Sequence, residues 1–351
     1  MKNKKLLLMI IIVVILLLFG SGLYFIVFKN DSKVLNTGNK VASSTTTTTK
    51  VLKIVNPESK SRPFAVMINN ADVARPLQSG LQDAYIIYEI IVEGGLTRYM
   101  ALFLDTNTER IGSIRSSRHY FLDYALENDA IYVHHGQSPY ALSDFSKLNI
   151  DRIVVDNSKT GWRDTSLTSS SGKKVSSEHT LFTSIQKLNN GVDSKRTERN
   201  NDLLLDYSID EIDLSTMEDA KEANNILIKY SGYEKTGYEY DAENKVYKRF
   251  VNGNEHKDYV TKKQYTFKNI ITYQVPNSTI SGDNKGRQEI SNIGSGNGYY
   301  ISNGYAVPIK WEKKSRSSQT VYKYENGQEI KVNDGNTFIQ IQPKGGLLTI
   351  E

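Results

Sequence analysis

Cysteine is absent from the 351 residues of the chain. An extracytoplasmic fold of this composition has no disulfides, so its domains must stand on their hydrophobic cores. Lipid attachment of the bacterial lipoprotein kind, which needs a cysteine, is excluded as well. Proline is scarce, at 7 residues against 24 glycines, which argues against long disorder. The net charge is only +5, far from the dense basic stripe of a nucleic-acid binder. No Walker loop, Gly-x-Ser-x-Gly elbow or cysteine nucleophile is present. The adjacent His134 and His135 point to opposite faces of a strand and cannot both ligate one ion. No metal, no cofactor and no nucleic-acid partner is therefore expected.

The chain begins with what it does have. Lys2, Lys4 and Lys5 precede an uncharged run from Leu6 to Phe28. A transmembrane helix needs about 20 apolar residues, whereas a cleaved signal has an apolar region of about 7–15. Residues 1–28 are expected to form a cytoplasmic tip and a single-pass signal anchor, with the lysines inside and the bulk of the chain extracytoplasmic at the cell membrane. Residues 29–61 are polar around Ser44 to Thr49 and read as a flexible linker, since such a tract buries too little apolar area to offset its ordering entropy.

Residues 62–192 read as an α/β domain with a mixed sheet. Apolar runs predict strands at Phe64–Ile68, Ala84–Val92, Tyr99–Leu104, Ala130–Val133 and Arg152–Val155. Helices are expected after Ser116 or Ser117, from Pro139 to Leu148, and from Glu178 to Gly191 behind a Ser177 cap. The span Glu93–Asp123 concentrates charge beside these apolar runs. Glu89 lies inside a strand and Glu93 at its end, while Arg98, Arg115, Ser116 and Arg118 surround a strand-to-helix junction. Free backbone N–H groups and the positive helix end favour an anion there, and guanidinium forks add to that. Strand ends are where α/β sheets bind ligands, which brings Glu93, Arg115 and His135 towards one place, with His179 at a later helix start. The same arginines could equally clamp Glu89, Glu93 or Asp123 and only brace the fold.

Residues 193–224 form a charged connection with a short helix expected at Met217–Asn225. Residues 225–351 are β-rich. Short strands alternate with Asn-Gly and Asp-Gly pairs, the chemistry of tight hairpins, and the 22 tyrosines fit exposed β structure. A sandwich or barrel is expected, so the whole is α+β. Gly294-Ser295-Gly296-Asn297-Gly298 reads as a hairpin loop and Trp311 as a core residue with a basic rim.

The motifs VEGGLTRYMALF at Val92–Phe103, IGSIRSSRHYF at Ile111–Phe121 and VHHGQSP at Val133–Pro139 resemble the YerB-like family of bacterial envelope proteins. So do WRD at Trp162–Asp164, HTLFTS at His179–Ser184 and YDAENKVYKRFVNG at Tyr240–Gly253. The resemblance covers Arg62 to about Pro343 and implies a two-part extracytoplasmic protein of unknown function, described in the family as a lipoprotein. With no cysteine, this chain would use its helix as the anchor. A fainter likeness is to the LytR-CpsA-Psr envelope phosphotransferases, through Asp83-Ala84-Tyr85, Asp105–Asn107 and Ile114-Arg115. Leu81 stands where that family has an arginine.

Three readings remain. In the first, the chain is a binding module that holds an anionic wall polymer or an envelope partner through Arg98, Arg115, Ser116, Arg118 and His179. In the second it is an envelope enzyme, phosphotransferase- or hydrolase-like, acting on a phosphorylated or glycan wall precursor, with Glu93 as acid or base and His135 as its partner. In the third the cluster is a structural ion-pair core.

Overall fold

The computed structural model describes residues 50–169, 171–194 and 196–351. The expected anchor, residues 1–28, and the linker up to residue 49 lie outside the described residues. Among the described residues, no helix is long and apolar enough to cross a membrane. The last stretch of the expected linker is not a free tether. Val55 is buried, Leu52 and Ile54 pack on the core, and the backbone N–H groups of Lys53 and Ile54 donate to the Asp334 carboxylate. The apolar side chains of Leu52, Ile54 and Val55 are enough to dock it.

Five strands come from the first half: β1 (Phe64–Asn69), β2 (Ile86–Ile91), β3 (Thr97–Phe103), β4 (Ile131–His134) and β5 (Arg152–Val154). Helices α1 (His119–Glu127) and α2 (Pro139–Lys147) alternate with the last two, and α3 (Ile185–Gly191) follows. The second half supplies β6 (Asn225–Lys229), β7 (Lys235–Asp241) and β8 (Val246–Val251), which join one another. It then gives β9 (Asn269–Val275), β10 (Gly294–Ser302), β11 (Tyr305–Lys313), β12 (Thr337–Pro343) and β13 (Leu348–Ile350).

These halves are not separate bodies. β12 lies between β9 and β2, parallel to both, so one mixed sheet runs β11-β10-β9-β12-β2-β3-β1-β4-β5. Strands β6, β7, β8 and β13 make a second sheet. The expected β-rich sandwich or barrel over 225–351 is therefore not a closed unit. Strands β9 to β12 extend the first half's sheet, while β6, β7, β8 and β13 lie in the second sheet. Residues 50–351 form one compact unit, and a single apolar cluster joins Val66 and Met100 to Ile271 and Ile339. Every residue of β1, β2 and β3 is buried, as expected of strands covered on both faces.

Several local expectations are corrected. Helix α1 begins at His119 with Arg118 at its N-cap and no side-chain cap. The Ser117 hydroxyl is engaged beneath the helix, accepting from Tyr132 at 2.9 Å. Residues Glu178–Gly191 are not one helix but a 3-10 turn (Ser177–His179), a strand (Leu181–Thr183) and α3, which Ser184 caps. The helix expected at Met217–Asn225 is absent: Asp219 takes a positive φ of 57°, and an edge strand forms at Lys221–Glu222. Asn303-Gly304 is the tight turn foreseen, both residues left-handed. Asn297-Gly298 instead lies inside β10. Its glycines are needed because Trp311 crosses Gly296 and the β9 backbone runs close to Gly298, where an added Cβ would sit 2.5 Å from the Thr272 carbonyl oxygen.

Alternation along β2 sends Tyr88 and Glu89 to opposite faces of the sheet. On one face Glu89 Oε2 accepts from Arg249 Nη2 of β8 at 2.7 Å, with both side chains wholly buried. Thr97 and Thr236 hydroxyls complete the carboxylate's bonds. On the other face the Tyr88 hydroxyl donates to Glu127 of α1 at 2.7 Å, and Glu127 accepts from the buried Lys313 ammonium of β11 at 2.8 Å. Both buried pairs join one half of the chain to the other.

Removing one member of such a pair leaves a buried charge unmatched. Arg249→Met is expected to lower unfolding free energy by about 3–5 kcal/mol, read from urea denaturation, and adding Glu89→Gln should restore part of it. No recovery in the double variant would refute the pairing. A second expectation concerns His134, which burial pushes down from 6.5 to about 4 against the hydrogen bond to the Gly136 carbonyl. A depressed folded value means the unfolded state takes up the proton first, so stability is lost as pH falls from 6.5 towards 4. His134→Phe should remove that limb, and an unchanged pH profile would contradict it.

Candidate functional site

Strands β1, β2 and β4 run in one direction, with β3 antiparallel between β1 and β2. Their carboxyl ends at Asn69, Ile91 and His134 therefore share one edge of the sheet, where Arg98 enters from the start of β3. Strand β9 ends at the same edge. From Val275 the chain leaves as a two-stranded ribbon, Asn277–Thr279 paired with Gln288–Ile290. Its loop carries Lys285 and Arg287 over the carboxyl ends of the first half's strands. The result is a cleft of 340 Å³ bordered by Asn69, Glu93, Arg98, Arg115, Arg118 and the ribbon. It lies where open α/β sheets bind ligands.

Each charged side chain has a structural reason to be there. Gly94 and Gly95, at φ of 67° and 73°, turn the chain from β2 into β3 and leave Glu93 at the rim. Register places Arg98 opposite Asn69, and its Nη1 donates to the Ser116 carbonyl at 2.6 Å. Arg115 is zipped to β1, its N–H donating to the Met67 carbonyl at 2.9 Å, while its side chain donates to Glu178 at 2.7 Å. Arg118, at the N-cap of α1, donates from Nε to Glu93 at 2.6 Å. Arg98 and Arg287 approach the same carboxylate at 3.9 and 3.8 Å.

The cleft is short of negative charge. Arg98, Arg115, Arg118, Lys285 and Arg287 face one carboxylate, Glu93. Adding Glu178 on Arg115 and Asp283 on Arg287 still leaves five cations against three anions. Burial alone would push the Glu93 carboxyl up, but Arg118 and then Arg98 hold it below its usual range. Burial first, and then the like charge of Arg118 and Arg115, push the Arg98 guanidinium down to about 9, against the pull of Glu93. The Arg287 Nε is buried with no hydrogen-bond partner among the described residues.

The sequence-predicted residues divide clearly. Glu93, Arg98, Arg115 and Arg118 converge on the cleft. Ser116 offers it only a carbonyl behind Arg98, its hydroxyl lying against Gly136. His179 stands one layer back, its Nδ1 paired with the Asn69 amide at 2.8 Å. Burial lowers its pKa against the pull of Glu178. His135 does not join Glu93. The chain leaves β4 at His134, and the His135 ring turns to the Val155 carbonyl at 2.7 Å and to Arg163 at 3.2 Å. Lys285 and Arg287 were not foreseen. Asp283-Asn284-Lys285-Gly286-Arg287 reads only as a turn, and nothing local says that it follows a strand ending at the cleft.

Comparisons with known proteins agree across the chain. Residues 49–198 match the N-terminal domain of a protein of unknown function (DUF3048), and residues 226–339 match its C-terminal domain. A curated relative, "Putative lipoprotein YerB" of Bacillus subtilis (strain 168), is 29% identical over 83% of this chain and 84% of its own length. The crystal structure of the YerB protein from Bacillus subtilis superposes with a TM-score of 0.67 at 27% identity, covering 82% of this chain and 94% of that one. With both of its halves matched in order, the chain belongs to the YerB-like, DUF3048 family of proteins of unknown function.

Proposed function

We propose that the chain is a membrane-attached, extracytoplasmic envelope protein that binds an anionic ligand in the cleft at the carboxyl ends of its strands. Arg98, Arg115 and Arg118 hold the anion, and Lys285 and Arg287 close over it from the ribbon. The ligand class is a phosphorylated or carboxylated wall polymer. The observation that carries this reading is the imbalance of five cations over three carboxylates at the cleft, together with an Arg98 guanidinium destabilised by burial and then by the like charge of Arg118. An arriving phosphate offers oxygens to guanidinium forks that have unmatched charge, and Glu93 keeps Arg118 oriented meanwhile.

Envelope attachment is supported by the relative described as a lipoprotein. This chain has no cysteine to lipidate, so the apolar run Leu6–Phe28 takes that role as a single-pass anchor. Binding is favoured over catalysis by the state of Glu93. A carboxylate held ionised and shared among arginines is a weak base, and the imidazole of His135 is directed elsewhere.

Calorimetric titration of the full chain with inorganic phosphate and with an anionic wall polymer tests this. Arg98→Met and Arg287→Met should each weaken binding by about tenfold, the loss of one charge-assisted contact, and added salt should weaken it further because the cleft is open. Undetectable binding by the wild type, or affinities untouched in both variants, would overturn the proposal.

A further inference from the structure

A second cleft adjoins the first. Its volume is 560 Å³, and it is lined by His119, Tyr140, Asp123, Asp144, Arg316 and Glu289 among others. The two divide between consecutive residues on the helix side, where Arg118 lines the cationic cleft and His119 the other. On the ribbon a single residue, Gln288, separates Arg287 of the first from Glu289 of the second. Arg287 directly precedes the strand and is still paired there, its carbonyl accepting from the Ile280 N–H at 2.8 Å, and extended backbone spaces such a pair about 7 Å apart. Asp283 joins the two directly: it accepts from Arg287 at 2.7 Å and from the Tyr140 hydroxyl at 3.4 Å.

The second cleft has a different chemistry. Arg316 holds two of its three carboxylates, donating to Asp123 at 2.6 Å and to Asp144 at 2.7 Å. Asn292 bonds the second Asp123 oxygen at 2.9 Å. Tyr140 is 36% exposed and its ring centre lies 5.7 Å from that of His119. His119 is 8% exposed; Glu289 sits 3.1 Å from its Nε2. The Nδ1 atom is buried with no partner among the described residues. Buried polar atoms are rarely left so, and His119 itself lines the cleft. Fixed carboxylates, an amide, an imidazole and an exposed aromatic face suit a ligand rich in hydroxyl groups. Hydroxyls bond to the planar polar groups, and the C–H face of a sugar ring packs on tyrosine.

We infer that the two clefts form one bipartite site for a sugar-phosphate unit, with the phosphate among Arg98, Arg118 and Arg287 and the sugar against Tyr140 and His119. This rests on the anion-binding reading above and narrows its ligand to a phosphorylated glycan. The spacing along the ribbon matches a phosphate and its attached ring, and Asp283 couples the halves so that filling one orders the wall of the other.

The test compares inorganic phosphate with glucose 1-phosphate, titrated calorimetrically into the full chain and into Tyr140→Ala. The wild type should prefer glucose 1-phosphate by about tenfold, the value of one or two added polar contacts. In Tyr140→Ala that preference should fall to near one. Phosphate binding with no preference for the sugar phosphate would overturn the bipartite site and leave the anion site standing. A preference that survives Tyr140→Ala and also His119→Gln would overturn it too. If neither probe binds, both proposals fall together.

Discussion

Both side chains of the Glu89–Arg249 pair are withdrawn from water, and a carboxylate and a guanidinium in that condition tolerate only one placement of the sheets that carry them. A shift of β8 by one residue would turn Arg249 to the outer face and leave Glu89 uncompensated. The cost of an unmatched buried charge is several kcal/mol, more than any single apolar contact supplies. Such a pair adds little net stability over a well-packed apolar one. What it gives is register. Tyr88 and Glu127 repeat the device on the opposite face with Lys313, so adjacent residues of β2 fix what covers the sheet on both sides.

The same pair reaches the cleft. Arg249 Nη1 donates to His256 Nδ1 at 2.8 Å, which leaves the His256 proton on Nε2, bonded to the Gln78 amide oxygen. Burial, and after it the positive charge of Arg249, keeps this imidazole neutral by lowering its pKa well below the ordinary value. Gln78 in turn donates to the Asn69 carbonyl at 2.6 Å, and Asn69 borders the cationic cleft. A continuous polar chain of this kind holds its ends more rigidly than separate bonds would. The strand end that faces the ligand is thus positioned from the core.

Much of this was legible in the sequence. Uninterrupted apolar runs gave β1, β2, β3 and β4 within a residue or two, because strands buried on both faces need no alternation. The placing of Glu93, Arg98, Arg115 and Arg118 at strand ends followed from that. What escaped was non-local. The insertion of β12 beside β2 pairs Gln340 with Glu89, and no window of the chain signals a neighbour so distant in sequence. For the same reason Arg249 was invisible as the partner of Glu89, and Lys285 and Arg287 as members of the cleft. His135 was misplaced by a smaller error: the strand ends one residue before it, and a single step out of a pleat redirects the ring. Glu178–Gly191 misled because an apolar strand of three residues fits a helical spacing equally well.

These long-range pairings bear on where the function resides. The three first-half arginines stand at the ends of strands whose sheet is completed by β12, and the two remaining cations hang from the end of β9. Neither half assembles the cleft alone, although the two family-wide regions meet the eye as separable. Without β12 the edge of β2 would present unpaired backbone groups, which invites association with another chain. Without the ribbon, Glu93 would neutralise much of what remained of the first half's charge. A cationic site completed only by β12 and the ribbon is one that the first half cannot offer alone, and the buried pairs on the two faces of β2 are what hold that completion in place.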